Sequence, residues 1–385
     1  MMVRKPQVSK QRGTALLMVL LVVALVSVLA ISLSGRLQTT VLRTANLQQA
    51  DQAYWYSLSA EEIVRELLQR ELAENEGIAA QDQVWYQQSQ NGVAFPVPGG
   101  SIAGRIKDLH SCFNLNSLRM VHGGTDGGTD GGTDGSTDGI GAAVGDMDEA
   151  TKLKLLRRKS QLRMLLMAID DSMEAYAVDV IVDSLADWLD PDDDIGTGGS
   201  GTYGAETSDY QSQQFPHNAG NTWLNHISEF RLVRGVTAPL YHKIKPYVCV
   251  IPRDNSLKIN LNTVSSEQAN LLHAVSLGAL SLEDAKSFIN NRPQAGYESV
   301  EDAKGNGVLN NAAQGQIRPN LGGGPRDPSV TNEKLGGALE DFDVKSKYFE
   351  VHSRITVGDL EIDAHSQLLI TNEQTQVLYR GLGEP

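Results

Sequence analysis

The feature that most constrains this chain is an apolar stretch without any charge near its beginning, from Thr14 to Gly35. A stretch of about 20 apolar residues is long enough to cross a bilayer as an α-helix. The residues before it contain no acid and four cations, which are Arg4, Lys5, Lys10 and Arg12. Because cationic flanks stay in the cytoplasm, the sequence predicts a single-pass protein of the cell inner membrane, with a cytoplasmic N-terminus and a periplasmic globular part.

Three interpretations of this stretch are open. An uncleaved signal anchor and a cleaved secretory signal peptide are two of them, although Ala30 offers only a poor cleavage site. The third rests on Gly13, which precedes the apolar stretch and directly follows a short basic segment. Here the sequence resembles type IV pilin precursors. The resemblance implies that prepilin peptidase cleaves after Gly13, methylates the new amino group of Thr14 and leaves the apolar helix attached.

Met18 stands at the fifth position after this expected cleavage, where the pilin family usually has Glu, and Thr14 replaces the usual Phe. In that family, the acid of each entering subunit pairs with the terminal ammonium of the subunit ahead of it. An unpaired charge in hydrocarbon costs several kcal/mol. A subunit with no predecessor needs no such acid, so Met18 predicts the first subunit of a filament.

The remaining pattern predicts an α+β fold. The helix is expected to continue through residues 37–72, which lack Gly and Pro, with four apolar residues facing a core: Leu58, Ile63, Leu67 and Leu68. Short strands are predicted at 84–89, 92–98 and 100–109, and again from Tyr348 onward with a turn at Gly358. The predicted architecture is a pilin-like long N-terminal transmembrane helix packed on a small antiparallel sheet, with a large inserted α-helical domain.

The corresponding domain boundaries follow from these patterns. They are a leader at 1–13, a transmembrane helix at 14–35, the pilin-like helix and first strands at 36–117, an inserted helical domain at 118–335, and C-terminal strands at 336–385. Within the insertion, the Gly/Thr/Asp repeat at 123–139 has no apolar residue and is expected to be a flexible loop. Helices are predicted at 150–170 and 175–189, with Ser172 as the N-cap of the second.

The chain has two cysteines, Cys112 and Cys249, each beside a strand-like segment. Outside the cytoplasm such a pair is expected to form a disulfide, which would close the base of the inserted domain. Two buried free thiols are the alternative.

An acidic loop at 185–210 follows the second predicted helix of the insertion. Its carboxylates are Asp187, Asp190, Asp192, Asp193, Asp194, Glu206 and Asp209. A hard divalent ion with six to eight oxygen ligands would relieve their repulsion, and calcium suits the site better than zinc because no cysteine lies near. The loop lacks the EF-hand spacing, so a solvated acidic loop is also open.

The order of these segments resembles general secretion pathway protein K, the minor pseudopilin of the type II secretion system. The segments are SCFNLNSL, DWLD with GAE, SEFRLVRGV, CVIP and INLNT. The resemblance implies a pilin fold enlarged by a calcium-binding helical domain. It also implies a heterotrimer with the minor pseudopilins I and J that caps a pseudopilus of further pseudopilins. Carried over onto this chain, the metal ligands would be Asp190, Asp192, Asp194, Glu206 and Asp209.

Two other function classes are weaker. The segment 259–304 resembles a DNA-binding helix-hairpin-helix, but Ala279 replaces the second hairpin glycine, and Glu283 and Asp284 oppose phosphate. A net charge of -14 also disfavours nucleic acid. No catalytic motif is present, so no enzyme is expected. The sequence thus predicts a tip-capping minor pseudopilin that initiates pseudopilus assembly for protein export; a type IV minor pilin is the alternative.

Overall fold

The computed structural model describes residues 14–90, 92, 94–120, 148–196, 203–323, 330–371 and 374–383. The predicted leader with Gly13 and the Gly/Thr/Asp repeat lie outside the described residues. The α-helices are α1 (Thr14–Glu74), α2 (Val84–Gln90), α3 (Glu149–Ile169), α4 (Ala175–Leu189), α5 (Thr207–Gln211), α6 (Ala238–Ile244), α7 (Ala269–Val275), α8 (Leu282–Asn290), α9 (Val300–Ala303) and α10 (Gly307–Gln314). The strands are β1 (Ala94–Val97), β2 (Gly100–Asp108), β3 (Phe113–Asn114), β4 (Val248–Cys249), β5 (Ile259–Asn260), β6 (Phe342–Asp343), β7 (Tyr348–Val357), β8 (Leu360–Ile370) and β9 (Thr375–Leu382).

Helix α1 is one continuous element of 61 residues, about 90 Å long at 1.5 Å per residue. Among the described residues it is the one helix long and apolar enough to cross a membrane, and residues 14–35 are exposed throughout. Its second half packs on the sheet through a stripe of buried residues: Ala53, Ser57, Glu61, Leu68 and Leu72. A helix that is bare at one end and packed at the other suits a membrane anchor.

The prediction for the core face of α1 is only partly confirmed. Leu68 is buried, and Leu58 and Leu67 are half-buried, but Ile63 is 66 % exposed. The reason is that Glu61 takes the sheet-facing position, where it pairs with Arg380 at 2.6 Å. Ile63 lies two residues further along, about 200° around the helix, and points away from the sheet.

Five antiparallel strands form the sheet, in the order β1-β2-β7-β8-β9. Strand β2 pairs with β7, with Ile106 opposite Val351, so the early and late strands of the chain meet as predicted. The alternation predicted for β7 is confirmed, since Phe349, Val351 and Ile355 are buried, and Gly358 makes the turn into β8 with φ +58°.

The strand predicted at 84–89 is wrong, because this segment forms helix α2. Trp85 is fully buried between α1 and the sheet and meets the ring of Phe349 edge-on at 5.4 Å. Ser89 hydrogen-bonds the backbone of Ile106 in β2 through its hydroxyl. The tertiary contacts of this segment therefore outweigh its β propensity.

The inserted helical domain, here called the head, follows β2 and returns to the sheet at β7. Helices α3, α4, α6, α7, α8 and α10 contribute to one apolar core. The predicted disulfide between Cys112 and Cys249 is confirmed and closes the base of the head, across 137 residues of sequence. Ser172 is not the N-cap of α4, which begins after Glu174; the Ser172 hydroxyl hydrogen-bonds Asp170 instead.

Buried polar groups join the head to the sheet. The Asp108 carboxylate, at the end of β2, accepts hydrogen bonds from Thr263 and Ser346 at 2.6 Å and from Asn260 at 3.2 Å. Because Asp108, the segment with Asn260 and Thr263, and Ser346 are three separated parts of the chain, the Asp108 network fixes the position of the head on the sheet.

The part predicted to resemble a helix-hairpin-helix, residues 259–304, contains α7 and α8. Leu277 and Gly278 at its turn both have positive φ, and Glu283 and Asp284 lie in the first turn of α8. Five apolar residues predicted to be ordinary core are buried as expected: Leu271, Leu272, Val275, Ala285 and Ile289.

Candidate metal site

The candidate site lies where α4 ends and the chain returns to begin α5. Asp187 is in the last turn of α4, Asp190 is its C-cap, and Glu206 is the N-cap of α5. Each of the three carboxylates offers an oxygen atom, and these atoms lie within 4.8 Å of one another. Asp187 and Glu206 are 2 % exposed and Asp190 is 7 % exposed. We refer to Asp187, Asp190 and Glu206 as the carboxylate cluster.

Four oxygens of the carboxylate cluster have no hydrogen-bond partner within the described part of the chain. They are Asp187 Oδ2, Asp190 Oδ1 and both carboxylate oxygens of Glu206. The other Asp187 oxygen accepts a hydrogen bond from the Gly196 backbone at 3.3 Å. Leaving buried charged oxygens unpaired is costly, so this geometry calls for protons or for a cation.

The electrostatics of the cluster lead to the same conclusion. Burial, more than any neighbouring charge, raises the pKa of Asp187 to about 6 and that of Asp190 to about 9. Burial raises the pKa of Glu206 to about 8, with a further contribution from the negative charge of Asp187. Without a positive partner, the three carboxyl groups therefore favour their protonated forms. A bound cation would instead favour the ionised carboxylates.

Close backbone packing holds the cluster in place. A Cβ atom on Gly204 would lie 1.6 Å from Asp187 Oδ2, so only glycine allows this approach. Trp188 is buried beside the site and meets the ring of Tyr210 in α5 edge-on at 5.2 Å. The Arg119 guanidinium donates to the Leu189 carbonyl at the end of α4. The carboxylates therefore sit on a rigid frame.

The structure brings together only two of the five predicted ligands, Asp190 and Glu206. Asp192 is half-buried and accepts a hydrogen bond from the backbone of exposed Asp194 at 2.9 Å. Asp209 accepts one from the Glu206 backbone at 3.2 Å and lies 3.6 Å from Arg234. Ligation by Asp192, Asp194 and Asp209 stays a prediction, and residues 197–202 of the loop lie outside the described residues.

Asp187 is the residue that the predicted ligand set left out. The sequence places it among the acids of the loop, and the structure places it in the last turn of α4. Helical spacing carried the missing signal, because Asp187 and Asp190 are three residues apart and share one side of a helix.

The cluster fits a hard divalent ion, because its donors are all oxygens and are buried and unpartnered. Asp187, Asp190 and Glu206 would hold calcium, which would offset two of their three negative charges and tie the end of α4 to the start of α5.

Comparisons with known proteins place this chain in a family. A family model described as type II secretion system (T2SS), protein K, matches residues 111–253, and a second model with the same description matches 259–322. The type II secretion system protein K of Aeromonas hydrophila is 33 % identical over 98 % of both chains. The chain belongs to the type II secretion system protein K family. The protein K of Pectobacterium carotovorum subsp. carotovorum is 31 % identical over 97 % of both chains.

A solved protein K has the same fold. It is a chain of the crystal structure of the GspK-GspI-GspJ complex from the enterotoxigenic Escherichia coli type 2 secretion system. The match has a TM-score of 0.65 and 28 % identity, and covers 89 % of the present chain and 100 % of that chain. Together these comparisons confirm the predicted family and fold class, and identify a type II secretion minor pseudopilin, a structural component of the system. The carboxylate cluster falls within the first matched segment.

Proposed function

We propose that this protein caps the tip of the type II secretion pseudopilus, together with the minor pseudopilins I and J, and initiates pseudopilus assembly for protein export. The observation that carries the proposal is the combination of Met18 in the apolar helix with a large head on the sheet. A subunit that lacks the acid at the fifth position has no carboxylate to pair with the terminal ammonium of the subunit ahead of it. A head of this size would also clash with the next turn of a filament. Both features suit the first position alone.

The proposed route into the membrane follows from the N-terminal pattern. Prepilin peptidase cleaves after Gly13 and methylates the amino group of Thr14, and the head faces the periplasm. The basic residues before the apolar helix support this orientation. Mass determination of the mature protein tests the step: a chain that retains residues before Thr14 would contradict it.

The proposed partners bind the part of α1 that leaves the membrane and faces away from the sheet. Trp55 is 65 % exposed there, and Ile63 lies on the free side of the same helix. Large apolar side chains exposed on one element mark an interaction surface. The solved complex that contains GspK, GspI and GspJ supports I and J as the partners.

Co-expression of this full-length chain with its own I and J proteins is expected to give a stable ternary complex in the presence of calcium. Trp55→Ala should reduce the recovered complex at least several-fold, because it removes an exposed apolar side chain. Glu66→Ala is the matched control, because Glu66 is exposed on the same helix and its replacement removes no apolar side chain. Failure of the wild type to bind I and J in calcium would contradict the assignment of partners.

Antibodies against the head are expected to label one end of isolated pseudopili, once per fibre. Because Met18 offers no carboxylate to a preceding subunit, positions along the shaft are disfavoured by several kcal/mol. Immunogold electron microscopy measures the distribution. Regular labelling along the shaft would overturn the tip position.

We also propose that the carboxylate cluster binds calcium. Four unpartnered buried oxygens and raised pKa values support this, and Asp192, Asp194 and Asp209 remain candidates for further ligands.

A further inference from the structure

Buried acids line one face of α4 at intervals of one helical turn. Asp179, Asp183 and Asp187 are four residues apart and therefore project from the same side. All three are nearly inaccessible to solvent. The carboxylate cluster is the end of this row, so its environment depends on what neutralises the rest of the row.

Cations from α3 neutralise the first part of the row. Arg163 Nε lies 2.7 Å from Asp179 Oδ1, and Arg163 Nη2 lies 2.9 Å from Asp183 Oδ1. Lys159 Nζ lies 3.3 Å from the same Asp183 oxygen, and Lys159 is 1 % exposed. One helical turn before Lys159, α3 carries the buried apolar residue Leu155. At the position one helical turn before Lys159, α3 therefore offers no cation, while the row of acids continues to Asp187.

Among the described residues, acids outnumber the cations that pair with them in this buried region. The carboxylates of Asp179, Asp183 and the cluster number five, and two described cations, Arg163 and Lys159, form ion pairs with this group. Lys159 contacts Asp183, which precedes Asp187 by one helical turn on the same side of α4, so its ammonium lies about one turn from the cluster. The charge of Lys159 also lowers the pKa of Asp187 and Asp190.

We propose that Lys159, paired with Asp183 one helical turn from the carboxylate cluster, partly offsets the negative charge of the cluster in the metal-free fold and, by the same charge, lowers the affinity of the cluster for calcium. This inference rests on the proposed calcium site. An ammonium beside a site for a divalent cation repels that cation, and the repulsion is strong where water is excluded. Lys159 is thus a positioning residue that sets the affinity without ligating the metal.

The test measures calcium binding to the full-length protein in detergent, after chelation and dialysis, by isothermal titration calorimetry. Lys159→Gln keeps a hydrogen-bond donor for Asp183 and removes the charge, so we expect about tenfold tighter calcium binding. Asp183→Asn keeps the shape of the side chain and removes the negative charge that pairs with Lys159. We therefore expect about tenfold weaker calcium binding. A merely structural role for Lys159 would not produce shifts of opposite sign.

Two further variants control for stability. Lys159→Arg keeps the charge and should bind calcium within about twofold of the wild type. Arg158→Gln breaks a different buried ion pair, with Asp341 at 2.7 Å, and should lower the melting temperature without changing calcium affinity. These variants separate charge at the site from loss of stability in α3.

The outcomes are distinguishable. Calcium binding to the wild type with unchanged or weaker affinity in Lys159→Gln overturns this inference alone. If Lys159→Gln does not fold, unchanged or tighter binding by Asp183→Asn overturns it. No calcium binding to the wild type overturns the calcium site and this inference together.

Discussion

Removal of calcium at pH 7.5 is expected to lower the melting temperature of the full-length protein by about 5 to 10 °C. A ligand at about 100 times its dissociation constant stabilises the folded state by about 2.7 kcal/mol, and each kcal/mol shifts the melting temperature of a large domain by about 2 to 4 °C. The physical reason is that the buried carboxylates of Asp187, Asp190 and Glu206, whose oxygens include four without a hydrogen-bond partner among the described residues, would lose the cation proposed to offset their charge. Tryptophan fluorescence during heating, with calcium or with chelator, measures the shift.

The loss of stability without calcium is expected to grow between pH 7.5 and 9. Glu206 and Asp190 have folded-state pKa values raised to about 8 and about 9, mainly by burial. A raised carboxyl pKa contributes stability below the unfolded value, near 4, and that stability is lost as pH rises through the folded value. Each proton that the folded state keeps and the unfolded state has released costs up to about 1.4 kcal/mol of stability per pH unit. His226 and His365, whose pKa values burial lowers, titrate below this window.

Calcium binding should remove this pH dependence and release about one to two protons at pH 7.5, because metal ligands bind deprotonated. Calorimetry in two buffers with different ionisation enthalpies counts the protons. Asp190→Asn should abolish the calcium effect on stability, whereas Asp171→Asn, at an exposed acid away from the cluster, should retain it. Equal melting temperatures with calcium and with chelator would contradict a calcium site at the cluster.

Removal of the disulfide is the second large effect. The double variant Cys112→Ala/Cys249→Ala is expected to lower the free energy of unfolding by about 4 to 5 kcal/mol, because the bridge closes a loop of 137 residues and restricts the unfolded chain. The cysteines also pack with Leu109, Ile251 and Tyr348 where the head meets the sheet. Urea unfolding of the full-length protein, monitored by circular dichroism, measures the change.

Reduction of the disulfide in the wild type is the control for the double variant. The wild type treated with reductant should approach the stability of the double variant, whereas the double variant should not respond to reductant. A double variant within about 1 kcal/mol of the wild type would show that contacts around Asp108 hold the head on the sheet without the bridge.

The fold was largely predictable because its main signals are local. The uncharged run from Thr14 gives the helix, and alternation in 348–357 gives a strand with one buried face. The pairing of β2 with β7 follows because strands at both ends of the chain need partners. Errors arose at Ile63 and in α2, where a contact from a distant residue decided the outcome: Arg380 for the face of α1, and Phe349 for the burial of Trp85.

The candidate site was predictable only to its region. The composition located the acidic loop, and the predicted ligand set included Asp190 and Glu206. The sequence did not show that Asp187 belongs to the carboxylate cluster. Its place there depends on the later part of the loop, with Gly204 and Glu206, lying against the end of α4. Lys159 gave no signal either, since a lysine in a helix with many cations is ordinarily solvated.

The sequence by itself determined the long apolar helix, the class of the fold, the two cysteines that pair and the stretch that contains the carboxylate cluster. Periodicity, charge and composition are properties of short segments, so they can be read without knowing where distant residues lie. Only the tertiary structure decided which carboxylates converge and which cation stands beside them. The reason is that burial and electrostatic contact are set by residues from separate segments, and their proximity exists only once the head has folded.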